Sequence, residues 1–348
     1  MRSAFKGPLR FAVLALVSSM AVGLGPGVSG VRAADDMGGM EDLCAGDMRW
    51  MIGWCMDDAM AVESEATGAA AALAVQAAPQ SVGVFEPIDR PGAAATRAFG
   101  INPQGDIVGS YTDGTGTHGY LLSDGVFTTV DYPGATTTST EAWGINARGD
   151  IIGRYIRSDV PGIRGFLLSH GSYTDISIGS HRVTLPTKIG ASGEVVGCFH
   201  DISGFVDMYG YVQRGSNVTL FARPSTVAPH GSAVMHNGVT PGGQTVVGLH
   251  FPQPGQSRGY VLSRDELTFL DFPGSTFTQA WDVNPSGTVV GQYDLGRKTR
   301  GFSYDQNGYV SIEPDGATAT RALGINPEGD IVGLYTDRSG THGFVLRR

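Results

Sequence analysis

The feature that most constrains this chain is a block of roughly 44 residues that recurs six times after residue 82. One glycine in each copy follows two apolar residues, and a second glycine precedes an aromatic residue. The first set is Gly109, Gly153, Gly197, Gly248, Gly291 and Gly333, with steps of 44, 44, 51, 43 and 42 residues. The second set is Gly119, Gly165, Gly210, Gly259, Gly301 and Gly343. Such a period is typical of solenoids and propellers, in which each copy buries its apolar face against its neighbours.

Each copy holds four short runs rich in Val, Ile, Thr, Tyr and Phe, which indicate strands separated by turns. Four antiparallel strands per repeat correspond to one blade of a β-propeller. The last copy stops after its third strand, while VFEPIDRPGA at 84–93 matches the fourth-strand sequence VFTTVDYPGA at 126–135. The sequence therefore predicts an all-β, six-bladed β-propeller over residues 82–348. The N-terminal strand would complete the last blade and close the open sheet edge.

In five of the six copies, a base precedes the second glycine and an acid ends the fourth strand. The third copy has lost both, with Tyr209 and Ala222 in their places. This joint loss predicts one ion pair or hydrogen bond per blade, tying strand three to strand four. A structural role is favoured over a ring of ligand-binding charges. The predicted pairs are His118 with Asp131, Arg164 with Asp175, Arg258 with Asp271, Arg300 with Glu313, and His342 with Asp89.

The first 33 residues have the three parts of a secretory signal: a basic start, an apolar run at 11–24 and a small-residue cleavage site at 31–33. They predict a secreted or periplasmic bacterial protein with no membrane span after signal removal. Residues 34–81 form a Met-rich acidic leader followed by an Ala-rich linker. Cys44 and Cys55 are predicted to form a disulfide there. An alternative is a copper site, because thioether and thiolate groups are soft ligands.

The formal net charge is −9 and no basic stripe is present, which argues against a nucleic-acid partner. The sequence has no nucleophile elbow, zincin motif, P-loop or dinucleotide fingerprint. No cofactor is therefore predicted, and no reaction is indicated by a motif.

Candidate ligand-binding residues lie early in the first strand of several copies, where they are expected to crowd one mouth of the central channel. They are Arg97, Glu141, Gln279 and Arg321, with His236 as a further first-strand candidate. The aromatic residues Phe99, Trp143 and Trp281 of the same strands, together with Leu323, are expected to pack between blades. His200 and His250, in the two most divergent copies, are weak metal-ligand candidates because no close ligand spacing accompanies them.

The pattern GIN-x-x-GDIVG-x-Y, then HGF or HGY, then D-x-PGA resembles the bacterial extracellular HAF-repeat proteins. The resemblance covers about residues 82–348 and includes 100–102, 105–109, 118–120 and 131–134. The namesake His-Ala-Phe appears here with glycine in the middle, as at 342–344. The resemblance implies a secreted repeat protein of propeller type. It implies no reaction or ligand, so no catalytic residue is carried over.

Together these observations predict a secreted binding or interaction module whose partner is an extracellular ligand, either a glycan or a protein. One alternative is a hydrolase or lyase acting on a carbohydrate or lactone at the channel mouth, with Glu141 and His236 as the first-strand acid–base candidates. Another is metal handling through the Met/Cys-rich leader.

Overall fold

The computed structural model describes residues 83–201, 208–226 and 228–348, and of residues 228–231 it describes the backbone alone. The predicted signal, leader and linker, with Cys44 and Cys55, lie outside these ranges. The all-β prediction is confirmed for the described part of the chain, which contains 26 strands and no helix. It accordingly contains no helix with the length and hydropathy of a membrane span.

Antiparallel pairing groups most strands into four-stranded units that follow the sequence repeat. Unit one consists of β2 (Ala95–Ile101), β3 (Ile107–Asp113), β4 (Gly116–Ser123) and β5 (Val126–Val130). Unit two consists of β6 (Thr137–Ile145), β7 (Ile151–Arg157), β8 (Val160–Ser169) and β9 (Ser172–Ile176). Unit three consists of β10 (Val183–Ile189), β11 (Val195–His200), β12 (Tyr209–Arg214) and β13 (Asn217–Phe221). Unit four consists of β16 (Val234–Val239), β17 (Thr245–His250), β18 (Arg258–Ser263) and β19 (Glu266–Leu270). Unit five consists of β20 (Thr278–Val283), β21 (Val289–Leu295), β22 (Lys298–Asp305) and β23 (Gly308–Ile312). The short strands β14 (Pro224–Ser225) and β15 (Ala228–Ser232) pair with each other between units three and four.

The last unit combines the two ends of the described chain. Its first three strands are β24 (Ala319–Ile325), β25 (Ile331–Thr336) and β26 (Thr341–Arg347). Its fourth is β1 (Val84–Ile88), which pairs antiparallel with β26 so that Val84 faces Arg347 and Ile88 faces Gly343. This is the pairing that the sequence predicts for the segment at 84–93.

Neighbouring units are joined along their first strands. The first strands contact one another in the succession β2, β6, β10, β16, β20 and β24, and β24 also contacts β2. At several junctions a single parallel bridge links the third strand of one unit to the first strand of the next, as between Thr117 and Ser139. The same bridge links unit six to unit one, between Thr341 and Ala95.

The two repeated glycines of each unit are required for different steric reasons. A β-carbon at any glycine of the first set would lie between 1.9 and 2.1 Å from a carbonyl oxygen of the preceding strand. At Gly109 it would also lie 2.8 Å from the ring of Tyr120. The second set lies between the fourth strand of its own unit and the next unit: a β-carbon at Gly119 would lie 2.4 Å from the carbonyl oxygen of Val130 and 3.3 Å from the backbone nitrogen of Ala142. The period is therefore set by close backbone approach, which only glycine permits.

The asparagine of the GIN sequence ties each turn to the following unit. The side-chain oxygen of Asn146 accepts hydrogen bonds from the backbone nitrogens of Arg148 and Asp150, at 2.9 and 3.0 Å. Its Nδ2 donates to the carbonyl oxygen of Gly190 in unit three, at 3.4 Å. Asn102 and Asn284 donate in the same way to Asn146 and Asn326. These bonds satisfy buried backbone groups at the end of the first strands.

Candidate functional site

The predicted mouth residues lie at the beginning of the first strands. Each faces a residue of its neighbouring second strand: Arg97 faces Ser110, Glu141 faces Arg154, Gln279 faces Gln292 and Arg321 faces Leu334. Gln279 is buried, whereas the other three predicted residues are partly exposed. We refer to Arg97, Glu141, Arg154 and Arg321 as the mouth cluster. Arg154 belongs to it although the sequence analysis did not select it, because it lies on the second strand.

Glu141 is the centre of the hydrogen bonding in this cluster. Its Oε2 accepts from Arg154 Nε and, at 2.9 Å, from Trp143 Nε1. The guanidinium of Arg154 lies 4.6 Å from the centroid of the Trp143 ring. Burial by itself raises the pKa of Glu141, but the charge of Arg154 and the two hydrogen bonds outweigh burial and hold that pKa below its ordinary value. Glu141 is therefore an ionised partner of Arg154 and is unsuited to act as a general acid at neutral pH.

Aromatic rings fill the space beneath the mouth cluster. Phe99 and Trp143 stack with centroids 4.0 Å apart and planes 6° apart. Trp143 also lies 6.2 Å from Trp281, which belongs to unit five. Units two and five are not neighbours, so these rings meet across the centre of the first strands. These rings therefore pack between blades, as expected, and in addition join two units that are not neighbours. All three are almost fully buried, which leaves no open ring face for a ligand.

An ion pair fills the same central region at the level of the GIN glycine. Four units carry glycine at this position: Gly100, Gly144, Gly238 and Gly324. Unit three has Lys188 and unit five has Asp282, and Lys188 Nζ donates to Asp282 Oδ2. The same oxygen accepts from the backbone nitrogen of Ile325 at 3.0 Å. Burial raises the pKa of Asp282, and the charge of Lys188 opposes this effect.

This pair was not predicted from the sequence, although the aligned first strands contain the signal. Opposite charges replace glycine at one position in two copies that are not adjacent. A β-carbon at Gly238 would lie 2.7 Å from Asp282 Cα, so glycine in unit four makes room for the carboxylate. The side chain of Asp282 is fully buried and that of Lys188 is 11% exposed. The pair joins unit three to unit five, and the bond from Ile325 N links it to unit six.

His236 does not lie with the mouth cluster, which corrects the sequence expectation. Its position aligns with Ala98, Ala142, Ala280 and Ala322, and it is 1% exposed. Nδ1 lies 2.5 Å from the hydroxyl of Tyr260, which donates to the carbonyl oxygen of Met235 at 3.0 Å. Because that hydroxyl proton is already used, His236 Nδ1 is the donor to Tyr260. Burial lowers the pKa of His236 to about 3.

This depressed pKa predicts acid sensitivity. The folded-state pKa lies below the ordinary 6.5, so the unfolded chain takes up the proton first as the pH falls. The stability contribution is fully present above about pH 6.5 and is lost toward pH 3. Between pH 7 and pH 4 we expect His236 alone to remove about 3 kcal/mol from the free energy of unfolding. Urea unfolding at both pH values measures this loss.

The variant His236→Asn keeps a hydrogen-bond donor and cannot titrate. The loss of its free energy of unfolding between pH 7 and pH 4 should therefore be about 3 kcal/mol smaller than the loss of the wild type. The matched control is His170→Asn. His170 is exposed and has a φ of 50°, which asparagine tolerates. An unchanged pH dependence in His236→Asn would show that this histidine is not the acid-sensitive group.

The two weak metal candidates are held by backbone contacts. His200 Nδ1 lies 3.3 Å from the carbonyl oxygen of Asp201, and His250 Nε2 lies 3.1 Å from that of Pro224. Burial lowers the pKa of both imidazoles. In the described ranges, no group of three or more His, Cys, Asp or Glu side chains is arranged to hold a metal ion. Cys198 is buried, and burial raises the pKa of its thiol to about 12.

The structure brings together four of the five predicted acid–base pairs. The distances are 2.7 Å for His118 Nδ1 to Asp131 Oδ2, 2.9 Å for Arg258 Nε to Asp271 Oδ1, 3.0 Å for Arg300 Nε to Glu313 Oε2 and 2.8 Å for His342 Nδ1 to Asp89 Oδ1. No ion pair joins Arg164 to Asp175 among the described residues. Asp175 instead accepts from the hydroxyls of Tyr132 and Tyr155, at 2.7 and 2.9 Å, so tyrosines replace the base.

Unit six contains a hydrogen-bonded series that superficially matches a hydrolase triad. Ser339 Oγ lies 2.9 Å from His342 Nε2, whose Nδ1 faces Asp89. The Ser339 hydroxyl, however, donates to Asp337 Oδ1 at 2.6 Å, so its proton is not directed at the histidine. Unit one repeats the arrangement with Thr115, which donates to Asp113. We interpret both as turns fixed by an aspartate, in agreement with the repeat origin of the two sequences.

No protein-family model and no curated protein sequence matches this chain. Several solved structures are similar in the arrangement of strands. TolB from Acinetobacter baumannii is 13% identical over 76% of this chain and 55% of its own, with a TM-score of 0.43. A fucose-specific lectin from Aleuria aurantia is 12% identical over 74% and 98%, with a TM-score of 0.41.

A third similar structure is the acylaminoacyl peptidase of Pyrococcus horikoshii, which is 12% identical over 70% of this chain and 42% of its own, with a TM-score of 0.41. This chain thus covers about half the length of TolB. These identities and scores are too low to transfer a ligand or a reaction to this chain.

Proposed function

We propose that this chain is a secreted or periplasmic repeat protein of the HAF type whose units form a closed six-bladed β-propeller, and that it acts as a binding module. The proposal of closure is supported by the contact of β24 with β2 and by the bridge between Thr341 and Ala95. The pairing of β1 with β26 supports the completed last blade. The proposal of secretion rests on the signal-like sequence at 1–33.

The observation that carries the binding proposal is the collection of guanidinium groups at one end of the first strands. Arg97, Arg154 and Arg321 are gathered there in a chain whose net charge is −9. Glu141 interacts with Arg154 and Arg97, and Asp294 interacts with Arg321. Three guanidinium groups therefore lie at this end of the first strands. Guanidinium groups favour a ligand that presents carboxylate or hydroxyl groups, such as an acidic glycan.

The prediction is that Arg97→Glu combined with Arg321→Glu weakens binding of an acidic glycan at least tenfold, because two favourable charges become repulsive. Both side chains are partly exposed, so the melting temperature should stay within a few degrees of the wild type. A panel of uronate-containing and neutral glycans, titrated against the mature chain, identifies the ligand and measures the change.

The matched control is Arg297→Glu combined with Arg338→Glu, which changes the net charge equally at two exposed turns. Affinity should be nearly unchanged in this control. If both double variants lose affinity alike, the effect is one of overall charge and the mouth cluster is not the site. If unfolding accompanies the loss in the first double variant, its arginines are structural.

The separation of Glu141 from His236 removes the acid–base pair on which the hydrolase or lyase alternative depended. Glu141 is bound to Arg154, while His236 is buried against Tyr260. The binding proposal is therefore preferred. Copper handling by the Met/Cys-rich leader lies outside the described residues and stays a prediction. Loss of copper binding on deleting residues 34–81 would test it.

A further inference from the structure

The turn between β10 and β11 departs from the repeat in a way that changes its chemistry. The equivalent turns of units one, two and six carry asparagine followed four residues later by aspartate, as in Asn146 and Asp150. Unit three has Gly190 and Glu194 at these positions, and Gly190 N still bonds to Glu194 O at 2.8 Å. A β-carbon at Gly190 would lie 2.3 Å from Glu194 Oε1. The glutamate side chain therefore occupies the space of the missing asparagine.

This replacement puts an acceptor where the other turns have a donor. Glu194 Oε2 accepts from the backbone nitrogen of Ser192 at 3.1 Å, as the asparagine oxygen does elsewhere. Oε1 takes the place of the amide that reaches the next unit. It is buried and has no hydrogen-bond partner within the described part of the chain. Glu194 as a whole is 4% exposed. A buried carboxylate without a donor is unfavourable and calls for a partner that carries positive charge.

Glu194 lines a pocket of about 270 Å³ on the end of the first strands opposite the mouth cluster. The other lining residues are Ser192, Gly193, Arg214, Gly215 and Gly242. Arg214 Nη2 donates to the carbonyl oxygen of Gly243 at 2.9 Å, which fixes the guanidinium beside the pocket. A β-carbon at Gly243 would lie 3.0 Å from Glu194 Oε1 and 3.1 Å from Arg214 Nη2. The carboxylate of Glu194 and the guanidinium of Arg214 therefore lie on either side of the space next to Gly243.

We propose that this pocket binds a small zwitterion, of which an α-amino acid is the type. Its ammonium group would donate to Glu194 Oε1, and its carboxylate would accept from Arg214. The volume equals that of about nine water molecules, which suits a small amino acid. Glycines on three sides keep side chains away from the bound molecule. The site is independent of the mouth cluster and of the function proposed for it.

The experiment is calorimetric titration of the full mature chain with glycine and L-alanine. Acetate and methylammonium each supply one of the two charges, and glycine betaine supplies both charges without an N–H donor. We expect glycine and L-alanine to bind, and each of the other three to bind at least about tenfold more weakly, since each lacks one charge-assisted hydrogen bond. If neither amino acid binds at 100 mM, the proposal is wrong. Equal binding of methylammonium overturns the zwitterion class.

A repeat-restoring variant separates binding from folding. Gly190→Asn combined with Glu194→Asp recreates the asparagine–aspartate pair of units one, two and six, so it should fold with a melting temperature at or above that of the wild type. It should lose at least tenfold in glycine affinity, as should Arg214→Gln. The matched control Arg297→Gln changes an exposed turn of unit five and should leave glycine affinity unchanged. Retained affinity in either pocket variant would contradict the assignment.

Discussion

Replacing Gly153 by alanine is expected to lower the free energy of unfolding by at least about 4 kcal/mol, or to prevent folding altogether. A β-carbon at this position would lie 2.1 Å from the carbonyl oxygen of Glu141 and 2.6 Å from the ring of Phe166. Neither neighbour can move away without a large cost in free energy, because Glu141 lies in the first strand and Phe166 is fully buried. The clash therefore separates β6 from β7 or expels the ring. Urea unfolding followed by circular dichroism measures the loss.

The control is Gly114→Ala, in a turn where a β-carbon would have no atom within 4 Å. Its backbone does not require a positive φ, so the change should shift stability by less than about 0.5 kcal/mol. A loss below about 1 kcal/mol in Gly153→Ala would mean that the strands can separate at little cost. The steric explanation of the repeat would then be wrong.

The sequence could predict those features of the fold that recur in every unit. The strands, the two glycines and the pairing of residues 84–93 with the last copy all follow from contacts that recur at a fixed separation. The joint loss of acid and base in the third copy likewise located four of the five pairs. The pairing of Arg164 with Asp175 failed because Tyr155 of β7 and Tyr132, which follows β5, donate to the carboxylate instead. That competition depends on side-chain reach, which a repeat pattern does not record.

What the sequence could not predict lies where non-adjacent units meet. The contact of Trp143 with Trp281 joins units two and five, and no local pattern relates their rings. His236 was placed at the mouth because it lies on a first strand. Strand alternation puts its side chain on the other face, where an alanine stands in four copies. The Glu194 pocket does not follow from the repeat pattern either, because it depends on how one side chain fills the space left at Gly190.

Replacing Lys188 by methionine is expected to lower the free energy of unfolding by about 4 kcal/mol. Asp282 would stay buried without its cation, and its remaining donors would be the backbone nitrogens of Val283 and Ile325 at 2.8 and 3.0 Å. Because this carboxylate lies at the centre of the first strands, no rearrangement of one turn can return it to water. Urea unfolding at pH 7 gives the value.

The double variant Lys188→Met, Asp282→Asn should recover most of that loss and fall within about 1–2 kcal/mol of the wild type. Asparagine is neutral and of similar size, and its oxygen can still accept from Ile325 N. The two single variants and the double variant form a thermodynamic cycle, whose coupling energy should be at least about 2 kcal/mol. A coupling energy below about 0.5 kcal/mol would mean that solvent screens the pair and that the centre is open. A large coupling energy would mean that the centre is dry, so that a ligand at the mouth cluster meets the buried ion pair and cannot pass between the first strands.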